Sequence, residues 1–175
     1  MYGREDPKDF VKKFEKPYQS LLDSGVRFFA LDSNYMDPAQ LEWLEKELQA
    51  SGSEWKICYF HHPLYSSGET HGSAVELRRI IEPLFIKYGV NVVFSGHEHF
   101  YERIKPQNGI YYFISGCAGK LRKGDIQKTD LTAKGYDQGN SFMLVEIAGN
   151  QFSFQTITRT GETIDSGVIN RPQSK

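Results

Sequence analysis

Three short runs rich in β-branched and aromatic residues, 26–31, 55–60 and 90–95, each stop abruptly at polar residues, and the stretches between them repeat their apolar positions every three or four residues. Strand periods alternating with helix periods favour parallel pairing with crossover helices, so the chain reads as an α/β fold. Loops that leave the ends of such strands are where sites tend to form. The polar residues that follow are Asp32-Ser33-Asn34, His61-His62 and Gly96-His97-Glu98-His99.

The helical stretches carry their own punctuation. Residues 7–22 place Phe10, Val11, Phe14, Tyr18, Leu21 and Leu22 on one face and are closed by Gly25. Asp37-Pro38-Ala39-Gln40 is a helix start, with Asp37 as cap, Pro38 in the first turn and Gln40 placed to complete a capping box. A third helix carries Leu77, Ile80, Ile81, Leu84, Phe85 and Tyr88, with Gly89 at its end; Pro83 inside it predicts a kink or a break.

After Pro106-Gln107-Asn108-Gly109 the pattern changes. Residues 110–115, 141–147 and 151–159 read as strands, the last two joined at Ala148-Gly149-Asn150, and residues 119–139 read as a long loop. The expected organisation is one partial domain over 1–175, with a parallel part over about 7–100 and an antiparallel part over about 110–170.

Composition bounds the function. With 21 Lys and Arg against 22 Asp and Glu, the chain has no basic excess for nucleic acid, and binding to it is not expected. No apolar run approaches the roughly 20 residues that cross a bilayer, so no membrane role is expected. A chain of 175 residues can bury roughly 70% of its unfolded surface, and its 39% hydrophobic and 25% charged residues are a globular mix that rules out disorder as its main state. Cys58 and Cys117 lie far apart in apolar stretches and are read as reduced, buried residues.

The functional signal is the histidines. All 5 fall in two segments that follow strands: His61, His62 and His71 in one, His97 and His99 in the other. Imidazole binds Zn, Mn and Fe, and two histidines two apart on extended backbone can face one way while a third arrives from a neighbouring strand end. His97-Glu98-His99 is not the zinc-protease helix motif, because Tyr101 stands where its second histidine would be. Ser115-Gly116-Cys117-Ala118-Gly119-Lys120 lacks phosphate-loop spacing, and its glycines read as a tight turn. A structural zinc site is disfavoured, with only three good ligands and no cysteine nearby.

Phe60-His61-His62-Pro63-Leu64-Tyr65-Ser66-Ser67-Gly68 followed by Ser95-Gly96-His97-Glu98-His99-Phe100-Tyr101-Glu102-Arg103 resembles the calcineurin-like metallophosphoesterases, and the Tyr-Glu-Arg tail points to their purple-acid-phosphatase-like branch. Leu31-Asp32-Ser33 and Ser115-Gly116-Cys117-Ala118-Gly119 occur in a similar order there. The resemblance implies a four-layer α/β/β/α sandwich with mixed sheets and a hydrolase of phosphate mono- or diesters using two metal ions, with Zn, Mn and Fe not distinguished. It implies that His61 and His97 bind one metal and His99 the other, and that His62 sits behind them or faces substrate. His71, ten residues after His61, matches a histidine that contacts phosphate or assists the leaving group; a solvated loop histidine is the alternative. Tyr101, Glu102 and Arg103 are expected to buttress the Gly-His-Glu-His loop, the last two through an ion pair or a backbone contact.

The family's Asp-x-His, Gly-Asp and Gly-Asn-His-Asp/Glu motifs, which supply the bridging carboxylate, have no match here, and Asp6, Asp9 and Asp32 do not replace them. The expectation is a C-terminal half of the domain, weakly active or inactive alone, holding at most one weakly bound metal ion and self-associating as a homo-oligomer. The alternative is a metal-poor β-rich module, without catalysis, that self-associates or binds its missing half. The first residues lack the layout of a secretory signal, and the compartment stays open.

Overall fold

The computed structural model describes residues 25–52 and 54–171. The helix expected over 7–22 lies outside them. Eleven elements follow in order: β1 (Val26–Ala30), α1 (Pro38–Ala50), β2 (Trp55–Phe60), α2 (Val75–Tyr88), β3 (Val92–Ser95), β4 (Tyr101–Ile104), β5 (Tyr111–Ser115), β6 (Thr132–Tyr136), β7 (Ser141–Ala148), β8 (Gln151–Thr158) and β9 (Thr163–Asn170).

Six strands form one sheet in the order β1-β2-β3-β5-β4-β6, and β7-β8-β9 form a second, antiparallel sheet. Strands β1, β2, β3 and β5 run parallel, so their C-terminal ends share one edge. This corrects the reading of residues 110–115 as part of an antiparallel half: β5 pairs in parallel with β3 and antiparallel with β4. The stretch read as a long loop also holds β6, antiparallel to β4, and an isolated bridge between Gly68 and Ile126.

Side-chain alternation divides the core in two. Phe29, Cys58, Phe60, Val93 and Tyr112 face the helices, where they meet Leu44 and Leu48 of α1 and Leu77, Ile81 and Phe85 of α2. Val26, Trp55, Ile57, Val92 and Phe113 face the second sheet, where they meet Phe152, Phe154 and Ile169. Because strand side chains alternate with period two, each strand feeds both cores at once. The described residues thus build helices, sheet and sheet in successive layers. Cys58 and Cys117 are free and buried, as expected.

The helices start and stop as the sequence dictates, with two exceptions. Asp37 accepts from the Gln40 amide at 2.8 Å, but the Gln40 side chain does not close a capping box. It turns to the backbone of Asp32 and Tyr35 instead and ties down the loop after β1. Helix α2 runs unbroken past Pro83 to Gly89, which ends it at φ 68°. The buried face of Leu77, Ile81 and Phe85 offsets the hydrogen bond that proline removes.

Candidate metal centre

The shared C-terminal edge of the parallel strands gathers the histidines. His61 follows the last residue of β2, His97 comes two residues after β3, and Ser33 three residues after β1. Crevices at the carboxyl ends of parallel strands are the usual ligand sites of open α/β sheets. The Gly96 amide donates to the His61 carbonyl at 3.1 Å, locking the two loops together.

Among the described residues, His61, His62 and His97 bring one ligand nitrogen each within 4.8 Å of one another. His61 Nε2 and His97 Nδ1 are 2.9 Å apart. Two imidazole nitrogens on one tetrahedral zinc stand about 3.3 Å apart, so a small opening of this pair admits a cation. His71 adds a fourth ring, its centroid 4.1 Å from that of His97. His97 itself has φ 65°, a left-handed conformation that is uncommon for a residue with a side chain and that here swings the ring back toward His61.

His99 is not in that three-residue group. Its Nδ1 is buried without a hydrogen-bond partner, and its carbonyl accepts from the Arg122 amide at 2.9 Å. A buried imidazole nitrogen left unpaired is a donor atom held ready for another ligand.

The site disfavours protons. Burial and then the neighbouring His71, His62 and His61 push His97 down to about 4. Burial and His61 also lower His62, against the Ser33 and Asp32 contacts that raise it. His99 is lowered by burial and then by Lys120 and Arg122. Neutral imidazole is the form that ligates a metal. Ser33 orients His62 by meeting its Nδ1 at 2.9 Å, which leaves Nε2 free to face the site.

Two glutamates of the second histidine segment hold the first one in place. Glu98 and Glu102 are both 0% exposed. Glu102 accepts from the Ser67 amide at 3.0 Å and from the Thr132 hydroxyl. It therefore makes the expected backbone contact but no ion pair with Arg103, which instead forks onto Asp165 of β9 at 2.8 and 3.1 Å. The Tyr101 hydroxyl donates to the same Asp165. Glu98 is pushed up by burial, against hydrogen bonds from Gly72 and Ser66 that favour its charge.

The glycines around this network serve close approach. A Cβ on Gly68 would lie 2.3 Å from Glu98 Oε1, and one on Gly116 would lie 2.0 Å from the Glu98 carbonyl. Gly116 is thus needed for backbone crowding rather than for a tight turn with positive φ. Sequence reasoning gave no role to Ser33, Glu98, Arg122 or Asp125. The one signal available was an acid between two histidines, a costly place for a charge without a partner.

The family model for calcineurin-like phosphoesterase matches residues 3–101. This chain belongs to the calcineurin-like phosphoesterase family. Within it the chain is similar to tartrate-resistant acid phosphatase type 5 of Rattus norvegicus, at 29% identity over 133 residues, covering 71% of this chain and 40% of that one. It is also similar to the Fe(3+)-Zn(2+) purple acid phosphatase 12 of Arabidopsis thaliana, at 44% identity over 79 residues, covering 43% of this chain and 17% of that one. In fold it superposes on the purple acid phosphatase PPD1 from yellow lupin (Lupinus luteus) seeds with a TM-score of 0.75 at 21% identity, covering 85% of this chain and 31% of that one. The chain spans less than half the length of these phosphoesterase relatives.

Proposed function

We propose that this chain supplies the imidazole half of a two-metal site that hydrolyses phosphate mono- or diesters. The observation that carries the reading is the convergence of His61, His62 and His97 at one edge of the parallel strands, with the His71 ring tilted against that of His97. Family membership supports the reaction class.

In this reading His61 and His97 hold one ion and His99 the other, and the ions are drawn from Zn, Mn and Fe; one relative's name pairs iron with zinc. When bound, a metal pair makes a water nucleophilic near neutral pH and neutralises phosphate charge. His62, steadied by Ser33, faces the substrate and donates to a phosphate oxygen from Nε2. His71 stands over the ligand His97, where it contacts phosphate or passes a proton to the leaving oxygen.

The cluster's candidate ligands are all imidazoles, with no carboxylate among them. Two dications a few ångströms apart repel strongly without carboxylates between them, so a full pair needs a bridging acid that this cluster does not supply. The isolated chain then takes at most one weakly bound ion and associates with itself, covering Phe142, Leu144 and Val168, each at least half exposed on the outer face of the second sheet.

The test is the full-length protein loaded with Mn, Zn or Fe and assayed on p-nitrophenyl phosphate and its bis ester. His97→Ala is expected to lower turnover by at least about 10²-fold together with metal content. Normal activity and normal metal content in that variant would remove the ligand assignment. Light scattering on the 175-residue chain is expected to show an oligomer, and a monomer at high concentration would discard the self-association.

A further inference from the structure

His71 is exposed and sits in a loop, yet both of its neighbours are pinned. The Gly72 amide donates to Glu98 Oε1 at 2.7 Å. On the other side, the Thr70 amide and hydroxyl both donate to Asp125 Oδ1. Glu98 is 0% and Asp125 6% exposed, so each is a carboxylate almost wholly removed from water.

Arg122 lies between the two acids, its Nη1 3.7 Å from Glu98 Oε2 and 3.6 Å from Asp125 Oδ2. Burying two carboxylates is costly unless charge and hydrogen bonds compensate. Here the compensation comes from one guanidinium, from the Ser66 and Thr70 hydroxyls, and from the backbone amides on either side of a single histidine. A helix or strand would fix His71 through its own ladder; this loop fixes it from beneath, through side chains.

The geometry points to Glu98 and Asp125, bridged by Arg122, as positioning residues that hold the His71 imidazole over the metal-binding edge. The inference rests on the hydrolase reading, and it adds that the residue between the two ligand histidines works through His71 rather than on the metals. It also joins the loop over 119–127 to the site, so changes there reach the chemistry through the Thr70 and Gly72 amides.

Two measurements test it. In the 175-residue chain, hydrogen exchange by NMR should show the Gly72 amide protected, and Glu98→Ala should abolish that protection while core amides such as those of Val93 and Phe113 keep theirs. Asp125→Ala, which removes the acceptor, should do the same at Thr70, and this keeps the test open should the Glu98 variant not fold. Unchanged Gly72 and Thr70 protection would overturn the proposal, whether or not the protein is a phosphatase.

In the full-length, metal-loaded enzyme, Glu98→Ala should lower kcat on phenyl phosphate about 10²-fold with little change in KM. Glu98→Gln, which keeps an acceptor for Gly72, should restore most of the loss. Adding Glu98→Ala to His71→Ala should cost less than about threefold more, because both act through one ring. Full additivity of the two would overturn the proposal. A wild-type enzyme with no metal-dependent turnover would sink the hydrolase reading and leave the exchange result to decide the positioning.

Discussion

Between the two sheets, Phe94, Phe113, Phe152 and Phe154 pack with neighbouring ring centroids 5.0 to 6.5 Å apart in stacked, tilted and edge-on pairs, whereas at the strand tips the buried groups include Glu98, Glu102 and Asp125. The seam is held by apolar area, which is tolerant of direction and forgiving of small shifts. The tips are held by hydrogen bonds that work in one geometry only. The difference teaches where position is specified in this chain: the seam supplies stability, and the polar tips fix where each imidazole points.

Removing an aromatic ring from the seam is the harshest way to break that contrast. Phe152→Ala leaves a void among Trp55, Phe94, Phe113 and Phe154 and is expected to cost about 3–5 kcal/mol in urea unfolding. If the seam and the tips are separate in kind, exchange protection at Ser67 and Gly72 should fall only with global unfolding.

The second test attacks a polar clamp that crosses the seam. Asp165, its side chain 7% exposed, takes both Arg103 and the Tyr101 hydroxyl across the sheets. Burial alone would raise its carboxyl, but Arg103 and Tyr101 outweigh burial and hold it below its ordinary value. A depressed folded-state value means the stabilisation is present above the unfolded-state value, near pH 3.9, and is lost as pH falls through the folded one. Asp165→Asn should therefore cost about 2–3 kcal/mol near neutrality, and the gap from wild type should close below about pH 4. A gap that persists in acid would mean the clamp acts by packing.

The smallest effect should have the opposite sign. His97→Gly relieves a left-handed residue at φ 65° and is expected to raise stability by about 1 kcal/mol in thermal unfolding. The same variant should lose metal uptake by calorimetry, showing strain kept at the tip for the sake of ligand direction. A loss of stability would place the His97 ring among the supports of the fold.

Much of this was readable in advance. The strands at 26–31, 55–60 and 90–95 and the helices from Asp37 and up to Gly89 follow from periodicity and caps, because each buries a face of its own. Strands β4, β6 and β9 were not recovered. Tyr101-Glu102-Arg103-Ile104 is too short to show alternation, and Thr132-Ala133-Lys134-Gly135-Tyr136 is half exposed at a sheet edge, so pairing rather than burial defines it. The histidines stood out by their clustering after strands. Glu98 and Asp125 did not, because a buried acid is recognisable only once the amides and the guanidinium around it are placed.

Gly68 and Glu98 impose an order on how such a loop can change over generations. Any side chain at 68 collides with the carboxylate, while a glycine there is harmless whatever stands at 98. A side chain can therefore enter position 68 only after the acid at 98 has been shortened or lost.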